Sequence, residues 1–407
     1  MAWNQVTLME EKHRFISLVG TGRFTLTELC TDFHVSRKTG YKWLRRYQQE
    51  GVRGLRCRSR RPRHCPHHTA EEIERLILQE RRRHQTWGPK KLQELLRCQH
   101  RLKQPPARST IAGVLRRHGL SQRRRRSPGL YPVPPSKLTQ PTHPNHVWTV
   151  DFKGWFLTQD GVRCDPLTVC DRYSHYLIGC HARPNQQFMS TLRVFKKLMR
   201  HHGKPQIIRV DNGTPFASMG LGRLSKLSVW WIEQGIAVEF TRPGKPQDNG
   251  SHERMHRDLK AECTQPPSAN LRAQQRRLQR WQQLYNHVRP HEALEMLKPA
   301  QIYRRSSRRL GENDKLLQYP AGYQIRLLSA TGHLWHVGHH YHVGEALAGC
   351  RVGLVVNASG VTELHFANVH LGNLVYDPAE QFRPKASIVP PNHKPLVIPS
   401  SIPKPKV

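Results

Sequence analysis

The chain has 407 residues, with 66 Lys+Arg against 29 Asp+Glu and a formal net charge of +37. A field this basic attracts a polyanion, with nucleic acid as the default candidate. The absence of a long apolar run or a lipidation motif argues against a membrane role. Nine cysteines without paired spacing point to reduced thiols, and Met1 to Phe15 lack the apolar stretch of a secretion signal, so a cytoplasmic, nucleoid-associated location is expected.

The charge is concentrated at the front. Residues 1–140 hold 31 Lys+Arg against 10 Asp+Glu, and no acidic residue falls between Arg101 and Gln140. Residues 7–50 read as helical. Thr25 is placed to cap a helix with Glu28 at capping-box spacing, and Ser36 to cap a second helix, Arg37 to Gln49, that Gly51 ends. That second helix has an apolar face of Gly40, Trp43, Leu44 and Tyr47. Its other face offers Lys38, Tyr41, Lys42 and Arg45. A short helix, a tight turn and a basic second helix make a helix-turn-helix, whose second helix enters the major groove. Residues 52–68 form a basic linker whose Cys57, His64, Cys65, His67 and His68 match no usual zinc spacing.

A second helix-turn-helix-like set follows. It has Ile73, Leu76, Ile77 and Glu80 at helical spacing, then a helix opened by Thr86-Trp87-Gly88-Pro89, then one expected to be capped by Ser109-Thr110. Residues 121–145 are Arg-rich and then Pro-rich, an extended linker suited to tracking phosphates.

From Pro141 to Tyr303 the pattern becomes α/β. Strands are expected at 147–155, 163–170, 175–181, 206–210 and 236–241, and helices near 187–202, 223–234, 249–262 and 271–287. Three strands followed by strand–helix alternation fit a sheet with an antiparallel edge. Residues 306–380 carry short strands and regular turn signals, expected to form a small β-barrel, and the Pro- and Lys-rich tail 381–407 reads as disordered. The expected domains are 1–64 (helix-turn-helix and linker), 65–140 (second helix-turn-helix-like domain and basic linker), 141–305 (α/β core), 306–380 (barrel) and 381–407 (tail).

The chemistry sits in the core. Val147-Trp148-Thr149-Val150 runs into Asp151, Ile207-Ile208-Arg209-Val210 runs into Asp211, and Pro246-Gln247-Asp248-Asn249-Gly250-Ser251-His252 leads to Glu253. Two Asp at strand ends and one Glu on a helix can form a carboxylate cluster, which suits hard divalent ions and the two-metal chemistry of phosphodiesters. Asp171 is the competing carboxylate, expected instead to cap the turn between the second and third strands. Asp248 and His252 flank the site without being assigned as ligands. Glu253, His256, Arg257 and Lys260 share one helix face by spacing.

These blocks, with Tyr285-Asn286-His287-Val288-Arg289-Pro290-His291-Glu292-Ala293-Leu294, resemble the DDE transposases of bacterial insertion sequences, whose RNase H-like core is shared with retroviral integrases. Residues 1–120 resemble the paired helix-turn-helix segments of the same elements. The resemblance implies that Asp151, Asp211 and Glu253 are catalytic, holding Mg²⁺ or Mn²⁺, two ions per site. It implies that Arg254, Arg257 and Lys260 position DNA. The partners implied are double-stranded element ends and target DNA, bound by a homodimer or higher oligomer. The implied activity is binding of terminal inverted repeats followed by strand cleavage and strand transfer. The alternatives are a non-catalytic DNA-binding regulator derived from a transposase, and an RNase H-like nuclease without joining activity. One departure is that 41 residues separate Asp211 from Glu253, more than such cores usually have. The extra length is expected in Ser218 to Ser228, as a longer surface connection.

Overall fold

Threonine and serine caps set the first three helices: α1 (Leu8–Gly20) behind Thr7, α2 (Leu26–Asp32) behind Thr25 and α3 (Arg37–Glu50) behind Ser36. The computed structural model describes residues 7–58, 69–121, 138–242, 246–311, 318–377 and 385–391. The zinc-like Cys/His cluster, apart from Cys57, and the Arg123–Arg126 run lie outside the described residues. The chain divides into two units at His68. In the first, the expected capping box closes: Thr25 N–H donates to Glu28 Oε2 at 2.8 Å and Glu28 N–H to Thr25 Oγ1 at 3.3 Å. Phe15, Ile16, Leu29, Cys30 and Leu55 form the core of this unit, with Trp43, Leu44 and Tyr47 packed against it. Gly40 is required where α3 crosses α2, since a Cβ there would stand 2.5 Å from Cys30 Sγ and 3.2 Å from Phe15 Cζ.

The second unit opens with α4 (Glu71–Arg83), α5 (Pro89–Cys98) and α6 (Arg108–Arg117) around Ile77, Trp87, Leu92, Leu96, Ile111 and Val114. Helix α6 starts earlier than expected. Its cap position is Ala107, not Ser109-Thr110. The Pro105-Pro106 pair holds the preceding backbone extended, and the helix begins as soon as that restriction ends.

The core sheet is built from β1 (Val147–Phe152), a short hairpin of β2 (Phe156–Leu157) and β3 (Arg163–Cys164), then β4 (Leu167–Asp171) and β5 (Leu177–His181). Next come α7 (Phe188–His202), β6 (Ile207–Val210), α8 (Lys226–Glu233), β7 (Ala237–Phe240), α9 (Gly250–Leu259), α10 (Leu271–His287) and α11 (Pro299–Ile302). The strand order is β5-β4-β1-β6-β7. β4 runs antiparallel to both of its neighbours, β5 and β1, while β1, β6 and β7 run parallel. Strand alternation divides the two faces. Trp148, Val150, Ile208 and Val210 join residues of α7 and α8 in one core, while Cys170, Leu177 and Cys180 meet Met255 and Leu259 of α9 and Leu278, Trp281 and Tyr285 of α10 in the other.

Three expectations fail beyond or beside the core. The sheet of β8 (Gln324–Leu327), β11 (Arg351–Val356), β12 (Thr362–Phe366), β13 (Val369–Asp377) and β14 (Lys385–Val389) is open, in the order β14-β13-β12-β11-β8, and the hairpin of β9 (His333–His336) and β10 (His339–His342) is separate. The expected barrel does not close among the described residues. All four residues of β8 are exposed, so that edge carries no covering strand. The tail expected to be disordered from 381 instead supplies β14, whose Ser387 and Ile388 pair with Val375 and Leu374. The extra residues before α8 are more than a surface connection: Leu224 is 2% exposed in the core, and a Cβ on Gly222 would touch Leu371 and Val369 of β13.

The segment after α10 clasps α4–α6 to the core. Arg289 donates to Asp258 of α9 at 2.6 Å and to Glu262 at 3.1 Å, and its guanidinium lies over the Trp87 ring. Thr86 donates to Glu262, and Leu284 and Val288 pack into the α4–α6 core. Arg289 is 2% exposed, so Arg289→Met leaves Asp258 and Glu262 without their guanidinium, with Glu262 keeping Thr86 and Trp281 as donors. It should destabilise the clasp by about 3–5 kcal/mol. Hydrogen exchange should then quicken in α4–α6 before it does in β1 and β4.

Candidate active site

The ladder between β1 and β6 runs Val147 with Ile207, Trp148 with Ile208 and Thr149 with Arg209. Carried two residues on, that register puts Asp151 level with Asp211. Asp151 and Thr149 share the α9 side of the sheet, because side chains alternate along a strand. Glu253 stands in the first turn of α9. The carboxyl of Asp151 is pushed up to about 7, first by burial and next by the negative charge of Asp211, with Glu253 adding to it. Its side chain is 24% exposed, whereas Asp211 and Glu253 are exposed. Asp211 is steadied by Gly213 N–H, which donates to Oδ1 at 3.2 Å. Asp211 and Glu253 thus lie near enough to Asp151 for their charges to raise its carboxyl. A divalent cation is the natural counter-charge for such a set.

The rival carboxylate plays a different part. Asp171 is fully buried and accepts from Asn145 N–H at 2.7 Å and from Ser174 N–H at 2.8 Å, as a cap of the β4–β5 turn. Asp248 is held in a bidentate pair by Arg242, at 2.8 and 3.0 Å. Helix α9 splits the stripe expected along it. Glu253, Arg254, Arg257 and Lys260 are exposed, while His252, Met255, His256 and Leu259 are buried. His256 sits three positions from Glu253, about 60° around the helix, and that offset carries it to the inner side.

His252 is pushed down to about 3 by burial and then by Arg172, and His256 well below its ordinary value by burial, then His252 and Lys153. Both imidazoles are therefore neutral at pH 7. Thr149 Oγ1 is 2.8 Å from His252 Nδ1, and Thr168 Oγ1 is 2.7 Å from Nε2 of both rings. Thr149 and Thr168 were not singled out by the sequence reading. Their signal was period-two spacing to Asp151 on one strand and the position facing Asp151 on the next. Lys153 was also missed. Burial and then the Lys260 charge lower its ammonium, so the two lysines stand together at the rim. In the first unit Lys38, Tyr41, Lys42 and Arg45 are all exposed along α3, opposite the buried Gly40.

Residues 141–246 and 234–299 each match the family described as Integrase core domain. Residues 11–63 match a Helix-turn-helix domain and 39–115 a Homeodomain-like domain. An uncharacterized 31.7 kDa protein of insertion element IS407 from Burkholderia multivorans is 28% identical over 193 residues, which span 47% of this chain and 67% of that protein. The chain thus resembles insertion-sequence proteins and carries an integrase-like core over residues 141–299. Among solved structures, the HTLV-2 integrase catalytic core in complex with magnesium aligns at 17% identity with a TM-score of 0.32, covering 40% of this chain and 98% of that one. A chain of the simian T-cell lymphotropic virus intasome in complex with PP2A regulatory subunit B56 gamma aligns at 14% identity with a TM-score of 0.36, covering 72% of this chain and 97% of that one. Among the described residues, no helix is long and apolar enough to cross a membrane.

The raised Asp151 carboxyl has a measurable consequence. A folded value near 7 lies above the ordinary 3.8, so the fold binds this proton more tightly than the unfolded chain does. Stability is therefore lost as pH rises from about 4 through 7. Asp151→Asn should change the metal-free protein little at pH 4 and stabilise it at pH 8 by on the order of 1–4 kcal/mol. Urea denaturation in chelator at the two pH values measures this, and no gain at pH 8 would mean that Asp151 is not held above its ordinary range.

Proposed function

We propose that this chain is a transposase that binds the terminal inverted repeats of its insertion element through the helix-turn-helix region. In this reading it cleaves the DNA ends and joins the freed 3′-hydroxyl to target DNA, using Asp151, Asp211 and Glu253. The observation that supports the reading is the β1–β6 register, which sets Asp151 level with Asp211, together with the charges of Asp211 and Glu253 that raise the Asp151 carboxyl. A regulator that only binds DNA has no use for a half-buried Asp151 with two further acids beside it. The helical units ahead of the core favour site-specific end binding over general nuclease work.

Asp151 and Asp211 would jointly hold one Mg²⁺ or Mn²⁺, with Glu253 completing a second site. Bound divalent ions supply an activated water or 3′-hydroxyl and stabilisation of the leaving oxygen. The chain itself positions the polymer. Lys260 and Lys153 at the rim, with Arg254 and Arg257 on the outer face of α9, would hold phosphates against the carboxylates. In the first unit, Lys38, Tyr41, Lys42 and Arg45 would face the major groove. Joining two ends calls for at least a dimer on DNA, and the site of action is the cytoplasmic nucleoid.

Two experiments test this. Alanine at Asp151, Asp211 or Glu253 should abolish Mg²⁺-dependent cleavage and joining of the element's own ends, while gel-shift binding to those ends stays close to that of the parent. Near-normal joining by Asp211→Ala would remove it from the site. Alanine at Lys38, Tyr41, Lys42 or Arg45 should weaken binding to the element's ends by roughly 1–3 kcal/mol for each base contact, with a smaller loss on random DNA. Equal losses on both DNAs would reduce these residues to phosphate contacts.

A further inference from the structure

Beside the three acids lies a buried polar cluster of Thr149, Thr168, His252 and His256, which the carboxylate scheme leaves unused. Its hydrogen bonds decide where each proton sits. A hydroxyl has one donor and two acceptor sites. Thr168 Oγ1 fills all three: it donates to the Asp151 carbonyl at 3.0 Å, and His252 Nε2 and His256 Nε2 each lie 2.7 Å away. Both rings therefore carry their N–H on Nε2 and donate to Thr168. The Nδ1 of His252 then accepts from Thr149 Oγ1 at 2.8 Å, and both its nitrogens are used.

His256 ends differently. Its Nδ1 keeps a lone pair and makes no hydrogen bond among the described residues. It points at Asp151 Oδ2, 3.6 Å away, on a residue only 7% exposed. Two atoms of one coordination sphere, each about 2.1 Å from the ion, stand roughly 3–3.5 Å apart. We propose that His256 Nδ1 is a further ligand of the divalent ion that Asp151 holds, so that this site takes an imidazole nitrogen in addition to carboxylates. The proposal rests on the assignment of Asp151 as a metal-holding residue. Thr168 supplies the support such a ligand needs, because an imidazole on a metal is held by its other N–H. A nitrogen donor also shifts preference away from Mg²⁺, which favours oxygen, toward first-row ions such as Mn²⁺.

The test uses the full chain with Mn²⁺ alone and no DNA. Calorimetry reads binding, and pulsed electron paramagnetic resonance reads hyperfine coupling from a directly bound ¹⁴N. The expected result is an imidazole nitrogen coupling that disappears in both His256→Gln and Asp151→Asn. Thr168→Val should weaken Mn²⁺ binding by about 10–100-fold, the usual cost of losing a ligand's outer support. The parent spectrum compared with Asp151→Asn answers the question even if His256→Gln folds poorly. Mn²⁺ that Asp151→Asn releases but that shows no nitrogen coupling would overturn the His256 ligand and leave the carboxylate site standing. Mn²⁺ binding that Asp151→Asn does not alter would overturn both.

Discussion

The site depends on one alignment, the parallel pairing of β1 with β6. Three paired positions, Val147 with Ile207 through Thr149 with Arg209, fix the register that sets Asp151 beside Asp211. A slip of one residue would send Asp151 to the opposite face and bring Val150 under α9, because side chains alternate along a strand. The two hydrophobic cores hold the register from both sides. Trp148 and Val150 are locked beneath α7 and α8, and the opposite face is covered by Met255 and Leu259. The packing that stabilises the sheet therefore also sets the spacing of the acids.

Much of this was legible before any coordinates. Local signals fixed the capped helices, since Thr25 with Glu28 and Ser36 with Thr39 act within one turn. Apolar strands ending in Asp marked β1 and β6, and the core elements fell within a few residues of their expected bounds. What the sequence concealed was set by tertiary contact. His256 shares a spacing with Glu253 and Lys260, but it lies on the rim of the helix face, and Thr168 of β4 draws it inward. The open C-terminal sheet was hidden in a similar way. Regular turns and short strands do not say whether the last strand returns to the first, and β14 was masked by the Pro and Lys around it.

The block from Tyr285 to Leu294 marks the family in sequence, but its observed contacts are mechanical. Arg289 bridges the helix that bears Glu253 to the Trp87 corner of α4–α6, and Tyr285 is buried under the sheet. An arginine suits this place because its planar fork can pair two carboxylates and stack on aromatic rings at once. The helical set ahead of the core is thereby tied to the helix on which the third acid rides.

The segment following Asp211 has a bearing on where the chain can be divided. It leaves the second acid, folds Phe216 and Leu224 into the main core, and rests Gly222 on Val369 and Leu371 of the C-terminal sheet. The same cluster of apolar side chains runs without a break from Trp148 to Leu374. The integrase-like half and the C-terminal half thus share a wall rather than a tether. A minimal fragment ending near residue 305 would bare that wall one short loop away from Asp211, so this core, unlike a module joined by a linker, carries its C-terminal sheet as part of its own interior.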